Sequence, residues 1–355
     1  MSANRGDLTM LTERQLLILQ VIIDDFIRSA QAVGSRTIAK KEDISFSPAT
    51  IRNDMADLEE MGFIEKPHTS SGRIPSEKGY RFYVDHLLSP SSINQEELGT
   101  IRSLFDSKTY EIEMVAKKSA KLLSEFTNYT TIVLGPELME TRLKQIQFIP
   151  LNRDSVVAII VTDTGHVEHR TLSLPDGLDS SELERLVNIL NEQLQGCPIA
   201  ELQECVQREL AGIIKKNLYD HNRVFELLTN MFGHGHTKAE KVFYGGKTNM
   251  FSQPEFNDIG KIRSLLSVIE QESVIYNLFK STSTGITVKI GQENQMQEMQ
   301  DCSVITATYS IGNEPMGTIA ILGPTRMEYA RVITLLNIFS QDLSKALTSL
   351  YQKEK

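Results

Sequence analysis

The sequence has no surplus of positive charge. Its 355 residues carry 37 Lys and Arg against 46 Asp and Glu, a formal charge of −9. A polycationic coat for nucleic acid is therefore excluded, and any nucleic-acid role must rest on where the charges sit. Cysteine is scarce. Cys197, Cys205 and Cys302 form an odd set with no CxxC pair, which is neither a disulfide framework nor a zinc motif and reads as reduced thiols. Long apolar runs are missing too. The longest, Leu16–Ile23, is broken by Gln20 and closed by Asp24 and Asp25. A membrane span needs about 20 apolar residues, so this run predicts a buried helix. Arg5 and Asp7 fall within the first ten residues, where a signal peptide would need an apolar stretch. The chain reads as soluble and cytoplasmic, without internal repeats or low-complexity tracts.

Catalytic and metal-binding constellations are also lacking. His166 and His169 are three apart, which on a strand places them on opposite faces. His234-Gly235-His236 has no cysteine or carboxylate cluster at ligand spacing and reads as a loop. Gly245-Gly246-Lys247 lacks the spacing of a phosphate loop, and Met296 and Met299 sit in a solvated loop. No Ser/His/Asp or Cys/His set stands out. The reading is of a protein that is not an enzyme and needs no cofactor or metal.

What the sequence does contain is organisation. At about 150 residues per domain its length fits two or three domains. Residues 1–90 read as a helical unit closed by a hairpin. Thr12 and Gln15 form a capping box before the first helix, a second helix starts near Ser35, and a third begins at Ser47-Pro48 and stops at Gly62. Short extended pieces at Phe63–Lys66 and Arg73–Pro75 flank a turn-rich stretch, and Ser89-Pro90-Ser91-Ser92 reads as a linker. Farther on, a helix is expected over about 95–126. Strands follow at Thr130–Leu134, Lys144–Ile149, Ser155–Thr162 and Val167–Ser173, then helices over about 180–195, 201–232 and 257–280. Strands at Ile286–Ile290, Ser303–Ser310 and Met316–Leu322 precede a last helix from Met327 to Leu350. Strands on both sides of a helical block predict an α+β sheet domain carrying an insertion.

The informative segment is Ser35 to Tyr83. Helix, tight connection, capped helix and hairpin make a winged helix-turn-helix. On a wheel at 100° per residue, Ile51, Met55 and Leu58 of the third helix face one sector, while Ala49, Asn53 and Ala56 face away with Arg52 at the edge. Alanines let a backbone approach a groove floor, and Arg and Asn are the side-chain types that read guanine and adenine edges. Amides at Ser47, Ala49 and Thr50, at the positive end of the helix, suit a phosphate. Between residues 66 and 81, Lys66, Arg73, Lys78 and Arg81 stand against one acid, Glu77, giving a basic, hydroxyl-rich wing with His68, Thr69, Ser70 and Ser71. Residues 1–90 as a whole hold 11 basic and 13 acidic side chains, so the positive charge is a local stripe. Winged helices also mediate protein contacts, and that reading predicts no salt-dependent binding to duplex DNA.

The words Ser47-Pro48-Ala49-Thr50-Ile51-Arg52-Asn53, Pro67-His68-Thr69-Ser70-Ser71-Gly72-Arg73-Ile74-Pro75 and Gly79-Tyr80-Arg81-Phe82-Tyr83 resemble the HrcA family of bacterial heat-inducible transcription repressors. The resemblance runs on through Phe243-Tyr244-Gly245-Gly246, Pro254-Glu255-Phe256, Ile290-Gly291-Gln292-Glu293-Asn294 and Gly323-Pro324-Thr325-Arg326-Met327-Glu328-Tyr329. It implies a repressor of chaperone operons that binds an inverted-repeat operator, the CIRCE element, as a homodimer. It also implies that the GroE chaperonin maintains activity, which is lost under heat shock. The implied architecture is a winged helix at 1–90, a GAF-like domain at 91–175 and 246–355, and a dimerising domain inserted at 176–245. Carried over by position, Ala49, Thr50, Arg52 and Asn53 would be major-groove readers, with Ser47 at the DNA beside them, and His68, Thr69, Ser70, Gly72 and Arg73 would form the wing. A GAF-type regulator answering a small molecule is the alternative this architecture leaves open.

Overall fold

Thr12 starts the first helix by accepting the Gln15 N–H at 3.3 Å, while Gln15 Oε1 accepts the Thr12 N–H at 3.0 Å, the capping box expected. The computed structural model describes residues 11–67, 72–105, 112–135, 142–152, 154–163, 167–174, 180–210, 221–232, 242–280, 284–312 and 314–352. Helix α1 (Glu13–Ser29) buries Ile18, Leu19, Ile22 and Ile23, one stripe of a 3.6-residue repeat. It packs on α3 (Pro48–Glu60), with the single-turn α2 (Ser35–Ile38) beside both. Strands β1 (Ile64–Glu65) and β2 (Ile74–Pro75) pair antiparallel with Ile64 opposite Pro75, and Val33 bridges to Arg73. This is a winged helix-turn-helix.

Two features of this region differ from the sequence reading. Lys78 and Arg81 do not belong to the hairpin. They lie on α4 (Glu77–Phe82), which Ser76 caps by accepting the Gly79 N–H at 3.0 Å, and the chain continues into a π-helical turn at Tyr83–Leu87. The expected linker is also anchored. Ser91 N–H donates to Thr334 Oγ1 at 3.2 Å, and one apolar core runs from Ile18 and Leu58 through Tyr80 and Tyr83 to Tyr329 and Leu336.

Helices α5 (Gln95–Phe105) and α6 (Ile112–Thr127) stand where one helix was expected, and β3 (Thr130–Leu134) follows. The chain then leaves for a separate unit. Strands β4 (Leu143–Asn152), β5 (Ser155–Thr162) and β6 (Val167–Ser173) form an antiparallel meander, succeeded by α7 (Ser180–Leu194), α8 (Leu202–Cys205) and α9 (His221–Phe232). It returns as β7 (Val242–Gly245), α10 (Ile259–Ile269), α11 (Glu272–Phe279), β8 (Ile286–Ile290), β9 (Cys302–Ile311), β10 (Glu314–Pro324) and α12 (Tyr329–Gln352). The five-stranded sheet has the order β7-β3-β10-β9-β8, with every neighbour antiparallel. Both of its faces are covered. Val133, Ile305, Ile319 and Ile321 join the core shared with α12 and the winged helix, while Ile132, Val304, Ala320 and Leu322 pack with the apolar side of α10 and α11.

Contacts divide the chain into residues 1–135 with 242–355, and residues 136–241. The inserted unit therefore begins well before the expected 176. Among the described residues, β4, β5 and β6 pair as strands only with one another, and their inward residues Ile146, Val156, Ala158, Ile160 and Leu172 pack on Leu186, Leu190, Leu228 and Met231 of α7 and α9. The winged helix and the sheet domain, expected as separate blocks, fall in a single unit. Strand β7 stands where no strand was expected. Gly245 lies so close to the Ala120 carbonyl of α6 that any side chain there would overlap it, which explains why glycine ends the strand. Cys197 and Cys205 form a disulfide, where reduced thiols were expected. The turn at Ile199–Glu201 and α8 fold these two positions back on each other, a closure that a spacing of eight does not reveal.

Candidate nucleic-acid interface

Helix α3 starts with its own side chains. Ser47 Oγ accepts the Thr50 N–H at 3.1 Å and lies 2.9 Å from Thr50 Oγ1, an N-cap with Pro48 at the first helical position. The Thr50 amide expected to be open to a phosphate is thus used inside the helix. Ile51, Met55 and Leu58 are buried against α1, and Ala49, Arg52, Asn53 and Ala56 are exposed. Among the described residues, Arg52 and Asn53 have no side-chain hydrogen bond or ion pair, and both are open to a partner.

The acids of α3 are drawn away from that face. Asp54 is buried and takes two bonds from the Arg14 guanidinium, at 2.7 and 3.0 Å. This fork-to-fork contact with Asp54 raises the Arg14 pKa above its ordinary value. Asp57 accepts from Gln15 Nε2 at 3.2 Å, and Glu59 pairs with Arg73 at 2.6 Å. Three carboxylates of an acidic helix are therefore engaged by Arg14, Gln15 and Arg73, and on the exposed face of its leading turns Arg52 is the charge.

The hairpin departs further from expectation. His68, Thr69 and Ser70 lie outside the described residues. Gly72 is buried so tightly on Ala32 that an added Cβ would stand 2.8 Å from its carbonyl carbon, so this glycine serves close packing. Arg73 is tied to Glu59 and fixes the returning strand to the end of α3. Lys78 donates to the Met61 carbonyl at 2.7 Å and lies 4.5 Å above the Phe63 ring. Arg81 is engaged by Asp85 and Glu293. Of the four cations counted across residues 66–81, Lys66 alone is exposed without a described partner. Sequence reasoning missed Arg36 and Lys40 instead. Both are exposed on or just after α2, and among the described residues neither is ion-paired. The helix before a recognition helix crosses the phosphate backbone, and that placement was the available signal.

Residues 10–85 match the family model described as winged helix-turn-helix transcription repressor, HrcA DNA-binding, and residues 113–333 match the HrcA protein C terminal domain. The chain belongs to the HrcA family. A heat-inducible transcription repressor HrcA from Bacillus pumilus (strain SAFR-032) is 55% identical over 344 residues, covering 97% of this chain and 100% of that protein. A crystal structure described as a hypothetical protein matches with a TM-score of 0.66 at 25% identity, over 96% of this chain and 99% of that one. An IclR family transcriptional regulator from Brucella abortus covers 98% of this chain and 97% of its own at 12% identity, but its TM-score of 0.21 gives no basis for comparison. As an HrcA-family member the chain is a transcription repressor with a DNA-binding winged helix, and not an enzyme. No helix among the described residues is long and apolar enough to cross a membrane.

Proposed function

We propose that this chain represses chaperone operons by binding an inverted-repeat operator of the CIRCE type as a homodimer, in the cytoplasm, and that heat releases it. The observation that carries the reading is the leading half of α3, where Arg52 and Asn53 are open, Asp54 is buried against Arg14 and Asp57 is bonded to Gln15. Ala49, Arg52 and Asn53 read bases in the major groove. Arg36, Lys40 and Lys66 meet phosphates, and the tip at His68, Thr69 and Ser70 reaches the flanking backbone or minor groove. Ser47, Thr50, Gly72 and Arg73 hold these groups in place. A gel shift comparing an inverted repeat with random duplex tests this; equal affinity for the two would refute it.

An inverted repeat mirrors a protein two-fold axis, so a dimer is required. The inserted unit offers a surface for it. The outward face of its meander aligns Ile149 with Val157 and Val161 with Val167, with Ile159 between them; Ile149 and Val167 are 47% and 53% exposed. An apolar stripe on one face of an antiparallel sheet favours a second copy of itself. Ile159→Glu should shift the protein to a monomer in sedimentation and weaken repeat binding more than half-site binding.

Dependence on the GroE chaperonin rests on the family resemblance. Added GroE should raise the DNA-binding fraction of refolded chain, and an unchanged fraction would favour the small-molecule alternative. That alternative draws little support from the sheet domain. The cavity beside Tyr129, Met250 and Phe256 holds about 10 Å³, room for about one water. A hollow of about 550 Å³ between α5 and α12 is an open groove.

A further inference from the structure

Two of the downstream family words meet the winged helix, and a third holds one of them in place. Gly291, in the Ile290-Gly291-Gln292-Glu293-Asn294 loop after β8, has a φ of +54°, the left-handed region that favours glycine, and lies against the Glu77 carboxylate of α4, which an added Cβ would push aside. Gln292 N–H donates to Glu77 Oε2 at 3.2 Å. One turn along α4, Arg81 gives two bonds to Glu293, at 2.9 and 2.6 Å, and a third to the Val288 carbonyl at 2.7 Å. Glu293 is held by the Ile290 N–H at 2.9 Å, and buried Asn294 fastens the loop by donating to the Gly291, Met299 and Cys302 carbonyls.

A second attachment runs through Arg326 to helix α1. Arg326, from the Gly323–Tyr329 word, donates to the Ile27 carbonyl in the last turn of α1 at 3.0 Å, where the helix dipole is negative. Its guanidinium is held by Glu255 of the Pro254-Glu255-Phe256 word. Tyr329 of the same word stacks on Tyr80 of α4 with centroids 5.8 Å apart. One attachment would leave the winged helix free to rotate about it. Two attachments on different helices, α1 and α4, joined by a continuous core, fix its orientation.

We infer that Glu77, Arg81, Glu293 and Arg326 form a latch that sets the orientation of α3 on the body, so that the latch determines which half-site spacing the dimer accepts. These are positioning residues. They act through α3 without touching DNA, and the inference rests on the repressor reading above. B-DNA turns about 70° for every two base pairs, so a rigidly held pair of recognition helices rejects a spacer changed by two.

The test uses the full chain and a half-site selected by that chain from a pool of random duplexes. Affinities are measured for the single half-site and for inverted repeats whose spacers differ in steps of two base pairs. Wild type should favour its best spacer at least tenfold over its neighbours. Glu293→Gln keeps an acceptor for Ile290 but loses the charge facing Arg81. It should reduce that preference below about threefold and leave half-site affinity within twofold. Gly291→Ala, which wedges a methyl against Glu77, should act alike, and Glu293→Asp should retain the preference. An unchanged spacing profile in both disruptive variants, or equal losses on half-site and every repeat, would overturn the latch. So would a wild type that binds half-sites tightly without any spacer preference, a result that leaves the repressor reading intact. A wild type that binds the selected half-site no better than random duplex defeats the repressor reading, and the latch with it.

Discussion

Arg52 and Arg73 looked equivalent in the sequence, each a cation in a DNA-binding word, and the structure places them differently, one exposed and one paired with Glu59. Arg52 is exposed on α3, so Arg52→Ala should cost about 1–3 kcal/mol in operator binding and relax discrimination at one base pair. Arg73 is half-buried in its pair with Glu59. Arg73→Ala should lower stability by about 1 kcal/mol, near the upper end for such pairs, and leave the salt dependence of DNA binding unchanged when measured by salt-titrated gel shift. Had Arg73 been a phosphate contact, the slope would flatten. Cys302 offers a separate test. Burial first, with Asp301 adding to it against an opposing Lys261, pushes its thiol up to about 12. A group so raised stays protonated through pH 8, so alkylation of native protein should be slower than that of a free thiol by about a thousandfold or more and should appear on unfolding.

At the scale of elements, the cap at the start of α3 joins sequence to site most directly. Ser47-Pro48 marked the helix start, and the structure has Ser47 capping Thr50. Ser47→Ala should therefore destabilise the domain by about 1 kcal/mol in denaturant unfolding, with weaker DNA binding following from a frayed leading turn. The wheel that separated Ile51, Met55 and Leu58 from Ala49 and Asn53 was legible because helical period and burial agree there. Apart from β7, the strands of both sheets were legible for the same reason, as alternating or continuous apolar runs. Helix α4 was not. Gly79 and the short span between Ser76 and Tyr83 read as part of a basic hairpin, because charge was counted along the chain without knowing the direction of each side chain. Lys78 and Arg81 face inward partners, and no local pattern announces a partner 212 residues away. The early start of the insertion was hidden likewise, since β3 and β4 both read as strands and what separates them is the partners they pair with.

For the whole molecule, a net charge of −9 and an exposed reading face together define the kind of binder this is. Few cations remain available near α3, because Arg14, Lys41, Arg73, Lys78 and Arg81 are engaged within the protein. Phosphate neutralisation scales with the number of free cations and gives affinity that falls with salt. This chain should therefore depend on base contacts and dimer symmetry more than on charge. The most direct measurement is a salt titration of full-length protein on an inverted repeat and on random duplex of equal length. The account predicts a shallow salt slope, equivalent to about four to six phosphates for the dimer at about 0.9 per contact. It also predicts at least a thousandfold preference for the repeat, the lower end for specific DNA binders. Equal affinities for the two duplexes, with a steep common slope, would contradict it.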